Sequence, residues 1–172
     1  MSDKYGQSDA LALAVVAALN AATDTFCLNV DAHRLFARKL DIADISAIGQ
    51  PVTVEVFPGD ELEDLVGLGG TFDDTYGCHV ILLQNVADNT QTSGGLNEDQ
   101  MALLLRLRSE VIELLCAGSI DGLNAVHPFS GARVKAVRHG KEGVYDLAHL
   151  ESTNVFYSEL ILTYKMPGLR RH

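Results

Sequence analysis

The stretch 152–165, STNVFYSELILTYK, constrains the fold of this chain more than any other feature of its sequence. Successive side chains of a β-strand point to opposite faces, so its alternation predicts one long strand. The first face carries Phe156, Ser158, Leu160, Leu162 and Tyr164. The other face carries Val155, Tyr157 and Ile161 among polar residues, and we expect that something covers part of that face.

Two further segments have the spacing of helices. An alanine-rich helix is predicted from Ser8 or Asp9 to about Ala22. An amphipathic helix is predicted after Asn97, which forms a capping-box pattern with Gln100 and has Leu96 placed as a hydrophobic staple before it. Arg106 and Glu110 are placed to pair at i,i+4 on this helix. Gly118 is the expected residue just past its end.

The remaining segments predict strands separated by loops. Strands are predicted at 24–32, 51–59, 76–86 and 132–141. We read 33–49 as a short helix or irregular segment, 60–70 as a loop or one helical turn, and 87–99 and 145–150 as connections. Strands broken by helices without regular alternation predict an α+β fold, a mostly antiparallel sheet flanked by two main α-helices.

Composition and charge limit the class of protein. The 172 residues, 47% hydrophobic and 21% charged, fit a single α+β domain over 1–172, with its core at 8–165 and a short tail at 166–172. The net charge of −10 is uneven, because the first hundred residues hold 16 acidic and 4 basic side chains and the rest hold 7 and 9. An acidic protein repels nucleic acid, so we expect no specific nucleic-acid binding.

The apolar run 10–19 is too short to span a bilayer. A secretory signal needs a basic leader, but Lys4 is outnumbered here by Asp3 and Asp9. We therefore expect a buried helix, no membrane association and synthesis in the cytoplasm. Cys27, Cys78 and Cys116 are widely spaced and odd in number, which predicts free thiols.

No linear motif indicates catalysis. The glycines at 67–70 lack the Lys-Ser/Thr of a P-loop, and Ser130 in HPFSG is not on a nucleophile elbow. The carboxylates that could bind a divalent cation do not follow the spacing of an EF-hand: Asp60, Glu61, Glu63, Asp64, Asp73 and Asp74. The six histidines show no ligand spacing. We predict no enzymatic activity, cofactor or metal, although groups assembled in space leave no linear trace.

Three segments carry a resemblance to a known family: VEVFPG at 54–59, LLCAGSIDG at 114–122 and NVFYSELILTY at 154–164. With the N-terminal helix, they make the chain resemble, over about 8–165, the tail-terminator (tail-completion) and related neck proteins of long-tailed bacteriophages. The resemblance implies a virion protein without enzymatic activity or cofactor. Its subunits would form a ring, expected to be a hexamer, that caps the tail-tube protein and joins it to the head connector or stopper protein.

A ring needs two different, matching patches on each subunit. We expect one patch in the acidic segment (Asp60, Glu61, Glu63 and Asp64) and the other in the basic strand (Arg133, Lys135 and Arg138). A neighbour would then cover Val155, Tyr157 and Ile161, and DNA would pass through the ring. The alternatives left open are another head–tail connector or stopper, a non-viral homo-oligomeric interaction domain and, last, a small metal-dependent hydrolase.

Overall fold

The structure, a computed structural model, describes residues 7–37, 44–66, 71–87, 95–116 and 133–166. These residues hold three α-helices: α1 (Gln7–Ala21), α2 (Glu98–Cys116) and α3 (Leu147–Thr153). They also hold five strands: β1 (Val30–Arg34), β2 (Val52–Val66), β3 (Thr71–Asn85), β4 (Arg133–His139) and β5 (Val155–Met166). One turn of 3-10 helix, Thr23–Thr25, separates α1 from β1.

The five strands form one sheet in the order β1-β2-β3-β5-β4. β1 runs parallel to β2, whereas the β2–β3, β3–β5 and β5–β4 pairs are antiparallel. The predicted α+β fold, with a mostly antiparallel sheet and helices packed on it, is therefore confirmed.

The core lies between one face of the sheet and the two long helices. The register aligns Val56, Val80 and Leu160 across three strands, and all three side chains are fully buried. α1 packs over β1, β2 and β3, and α2 packs beside β4. The whole first face of β5 is buried, from Phe156 to Tyr164, as the alternation predicted.

The start of α2 has one of the two hydrogen bonds of the predicted capping box. The Gln100 backbone N–H donates to Oδ1 of Asn97 at 2.9 Å, which confirms Asn97 as the N-cap. The Gln100 side chain is buried and donates to Oε1 of Gln84 instead of reaching back to Asn97. The Asn97 N–H donates to the Val86 carbonyl, so the second half of the capping box is replaced by contacts with β3 and its end.

The predicted end of the second strand at Gly59 is wrong. β2 continues through 60–66, where a loop or helical turn was expected, and β3 begins at Thr71 instead of residue 76. The register shifts between Pro58 and Glu61, so a bulge absorbs the proline and the pairing then resumes. A Cβ on Gly59 would lie 2.7 Å from the Gly77 carbonyl carbon, so the bulge depends on two opposed glycines.

Three other boundaries also differ from the prediction. The segment before β1 is not a strand until Val30, because the Thr23 hydroxyl accepts from the Val30 N–H at 2.8 Å and closes a turn. The predicted connection 145–150 is largely helix, since Asp146 caps α3 by accepting from the His149 N–H at 2.8 Å. α3 occupies the predicted first residues of the last strand, so β5 begins at Val155.

Several predictions fall on residues outside those described: the segments 38–43, 67–70, 88–94 and 127–131, and Gly118. The three cysteines lie within the described residues and are free, as predicted. Among the helices that the structure describes, none combines the length and apolar character needed to cross a membrane.

Candidate functional site

The face of the sheet opposite α1 and α2 carries a small apolar cluster and a cleft. Ile81, Leu83 and Val155 are buried in the cluster, with Ile45 and Phe57 packed against them. α3 packs beside β5, with Leu150 buried in the main core and the His149 ring meeting the Tyr157 ring edge-on on the second face, with centroids 5.7 Å apart. Next to this contact a cleft of about 410 Å³ opens.

Four parts of the chain line the cleft. β3 contributes His79, β5 contributes Tyr157, Glu159 and Ile161, and α3 contributes His149. The segment 140–146, which connects β4 to α3, contributes Gly140, Lys141, Glu142, Gly143, Tyr145 and Asp146. Its lining therefore combines carboxylates, imidazoles, phenol rings and one ammonium group.

A histidine–carboxylate pair occupies the floor of the cleft. Nδ1 of His79 lies 2.8 Å from Oε1 of Glu159, diagonally across the β3–β5 register. With the carboxylate as acceptor, Nδ1 holds the proton and Nε2 remains for another partner. A Cβ on Gly140 would lie 2.6 Å from Oε2 of Glu159, so Gly140 leaves the space that the carboxylate occupies.

Backbone hydrogen bonds attach the segment 140–146 to β5. The Gly140 N–H donates to the Glu159 carbonyl at 3.1 Å, and the Asp146 N–H donates to the Tyr157 carbonyl at 2.9 Å. Between these bonds Gly143, with φ of 86°, turns the chain. The wall of the cleft is thus held along the edge of β5.

A buried arginine of α2 connects to the same wall through Ser158, on the core-facing side of β5. Arg108 is only 5% exposed, and its Nε donates to the Ser158 hydroxyl at 2.8 Å. The Ser158 hydroxyl in turn donates to the carbonyl of Val144, and the guanidinium also contacts Nδ1 of His139. Burial lowers the pKa of Arg108. The contacts fix the position of the 140–146 segment from the core side.

The chemistry available in the cleft is hydrogen bonding and charge. Among the described residues, no three histidine, cysteine or acidic side chains are placed to hold a metal ion. Nε2 of His149 is buried and has no hydrogen-bond partner in the described part of the chain. That nitrogen is the kind of group that a bound molecule or water would satisfy.

The residues predicted as inter-subunit patches lie at opposite edges of the sheet. Asp60, Glu61, Glu63 and Asp64 belong to β2 and lie beyond the Val52–Val56 segment that β1 pairs with. Arg133, Lys135 and Arg138 belong to β4, which pairs with β5 alone among the described strands. The structure therefore does not bring the acidic and basic patches together within one chain.

The two patches nevertheless lie at the same level of the sheet, that is, at the same position along the strand direction. One row of partners crosses the strands from Leu62 through Thr75 and Lys165 to Arg133. A row closer to β1 crosses from Pro58 through Cys78 and Leu162 to Val137. An acidic edge segment and a basic edge segment thus lie directly across the sheet from each other.

The chain itself covers part of the second face of β5. Val155 is fully buried in the cluster with Ile81 and Leu83, so its cover comes from the same chain. Tyr157 contacts His149, and Ile161 lines the cleft. Sequence patterns did not predict the pairing of His79 with Glu159, because it depends on the β3–β5 register.

No protein-family model matches the chain, and a search of curated proteins found no match.

Proposed function

We propose that this chain is a structural ring subunit, the tail terminator of a long-tailed bacteriophage. The observation that supports this proposal is the presence of two oppositely charged sheet edges at one level. The acidic edge is the β2 extension at 60–64 and the basic edge is β4, on the other side of the same sheet.

Two different edges suit a head-to-tail contact. A ring uses heterologous contacts, in which one patch of a subunit meets another patch of its neighbour. An edge strand with open backbone groups can pair with a strand of another chain, and opposite charges specify which edges meet. Because the segments share one level of the sheet, the acidic segment of one subunit and the basic strand of its neighbour can meet over the same part of their strands.

The biological setting follows the resemblance of the sequence. In the proposal the ring, expected to have six subunits, lies in the virion between the tail tube and the head connector or stopper. Its partners are other copies of this chain, the tail-tube protein and the connector. DNA would pass through the ring, and the net charge of −10 would disfavour adhesion of the nucleic acid to the protein.

Charge reversal at the two edges tests the ring contact. We expect Arg133→Glu and Glu61→Arg each to abolish assembly, because each variant places like charges at the contact, and the double variant to restore it. Glu98→Arg, which reverses an exposed charge in the first turn of α2, is the matched control and should assemble normally. Mass in solution is the measurement, and absence of rescue in the double variant argues against this pairing.

The terminator role needs a separate assay. Purified protein is added to polymerising tail-tube protein and tube lengths are measured by electron microscopy. A terminator stops elongation, whereas a connector or stopper forms a ring but leaves the tubes growing. A closed two-fold dimer without effect on the tubes would instead indicate a homo-oligomeric interaction domain.

A further inference from the structure

We propose that the cleft on the second face of the sheet binds an organic cation through a guanidinium or primary ammonium group. The cleft, of about 410 Å³, is within the size range of pockets that hold small ligands. It lies between β5, α3 and the 140–146 segment, next to the end of β4, and every residue of its lining belongs to one chain, so the proposal needs no second subunit.

Carboxylates outnumber cationic groups in the lining of the cleft, and Arg138 lies opposite Ile161 at its border. Glu142, Asp146 and Glu159 line it, against the single ammonium group of Lys141. Glu159 uses one oxygen for His79, and Asp146 uses one for the His149 backbone N–H. A carboxylate that keeps an oxygen for a new partner forms its strongest hydrogen bonds with charged N–H donors. Three carboxylates in one cleft disfavour an anionic ligand.

The aromatic walls favour the same class of ligand. Tyr145 and Tyr157 line the cleft, the first with its ring beside Phe156 and the second with its ring beside His149, and phenol rings attract cations. The imidazole of His149 also lines the cleft, and its buried Nε2 has no hydrogen-bond partner in the described residues. A guanidinium group presents five N–H donors in one plane, which suits several acceptors around an aromatic wall.

The cleft is also held in shape before any ligand binds. Gly140 and Asp146 are hydrogen-bonded to β5, and the Val144 carbonyl accepts from the buried Ser158 hydroxyl. Glu159 is oriented by His79. Preorganised acceptors reduce the entropy lost on binding, so a small cation can bind without rearrangement of the sheet.

Titration of the full chain with butylguanidinium tests the proposal, with the neutral isostere butylurea as the comparison. The titration is run at pH 8. We expect saturable shifts in amide resonances of 140–146 and 157–161 with butylguanidinium and none with butylurea. Equal responses to the two compounds, or no saturable response to either, would overturn the proposal.

Variants of the chain locate the binding. Glu159→Gln and Gly140→Ala should each raise the Kd for butylguanidinium about tenfold, the first by removing a charge and the second by displacing the carboxylate. Glu142→Gln changes an exposed residue of a turn, keeps the fold and should raise the Kd about threefold. Glu151→Gln, exposed on α3 outside the cleft lining, is the control and should leave the Kd unchanged.

Two results with these variants would contradict a specific binding site formed by the residues of the cleft. The first is an unchanged Kd in all three cleft variants, and the second is an equal loss of affinity in Glu151→Gln, which indicates attraction by net charge alone. A capped Gly-Arg-Gly tripeptide separates the sources of the cation. Tighter binding than butylguanidinium assigns the site to an arginine of a protein segment, and equal or weaker binding assigns it to a free small cation.

Discussion

Glu110 joins the segment after α1 to the surface of α2. Its Oε2 accepts from the Cys27 backbone N–H at 2.7 Å, and its Oε1 accepts from Nε of Arg106 at 2.9 Å. The Cys27 hydrogen bond is the main reason that the pKa of Glu110 is lowered from its ordinary value of 4.5. The Arg106 pair was predicted from the i,i+4 spacing, whereas the Cys27 contact spans 83 residues and leaves no sequence signal.

Replacement of Glu110 by glutamine should lower the free energy of unfolding by about 1 kcal/mol at pH 7, because the charged acceptor is lost. A group whose folded pKa is lowered contributes stability that is fully present above pH 4.5 and is lost as the pH falls through the lower folded value. The difference from the unmodified chain should therefore shrink toward zero in more acidic solution. Urea unfolding at several pH values measures it.

The matched control for Glu110 is Glu113→Gln, an exposed change on the same helix, which should have little effect at any pH. A pH-independent loss in Glu110→Gln would show that the side chain acts through packing instead of charge.

The three thiols should differ in reactivity because of their burial. Cys78 is fully buried, and desolvation raises its pKa to about 12, whereas Cys116 is exposed. The thiolate is the reactive form, so in the folded chain at pH 8 a chromogenic disulfide should label Cys116 first and Cys27 more slowly. Cys78 should react only after denaturation. Labelling of Cys78 in native conditions at the rate of Cys116 would contradict the buried position of this strand.

At the scale of elements, the β2–β3 hairpin is longer than local composition predicted. The Pro58–Gly59 pair has the composition of a strand end, and the following acidic residues have the composition of a loop. The hairpin continues because Gly59 lies close to Gly77 on the opposite strand, and a match between residues so far apart cannot be read from local composition. α3 was missed as well, although Asp146 and the left-handed Asn154 are recognisable caps.

Gly77→Ala should lower the stability of this hairpin. Its Cβ would lie 2.9 Å from the Asp60 backbone nitrogen, so the strands must separate at the bulge, at a cost of about 1–3 kcal/mol. Gly49→Ala is the comparison, since a Cβ there meets no atom within 4 Å and the cost, about 1 kcal/mol, comes from its φ of 88°. Thermal unfolding of both variants measures the difference. An equal loss of stability in the two would argue against close approach of the strands.

At the scale of the whole molecule, the order of the predicted helices and strands indicated the fold class, and the alternation within one strand predicted the buried face of β5. The predicted acidic and basic patches are placed at two edges of one sheet, and their shared level became visible only through the registers of four strands. The cleft combines residues from β3, β5, α3 and the 140–146 segment, so no local motif marks it. Side chains that only tertiary pairing brings together, such as those of the cleft, cannot be predicted from the sequence pattern.

We propose that copies of this chain join edge to edge in a closed ring. The mass of the purified protein in solution over a concentration series, followed by negative-stain imaging of the same sample, tests this most directly. We expect annular particles with a mass near six times 18.6 kDa, which dissociate as the salt concentration rises. A closed dimer, or a monomer that stays monomeric when tail-tube protein is added and does not cap the tubes, would contradict this proposal.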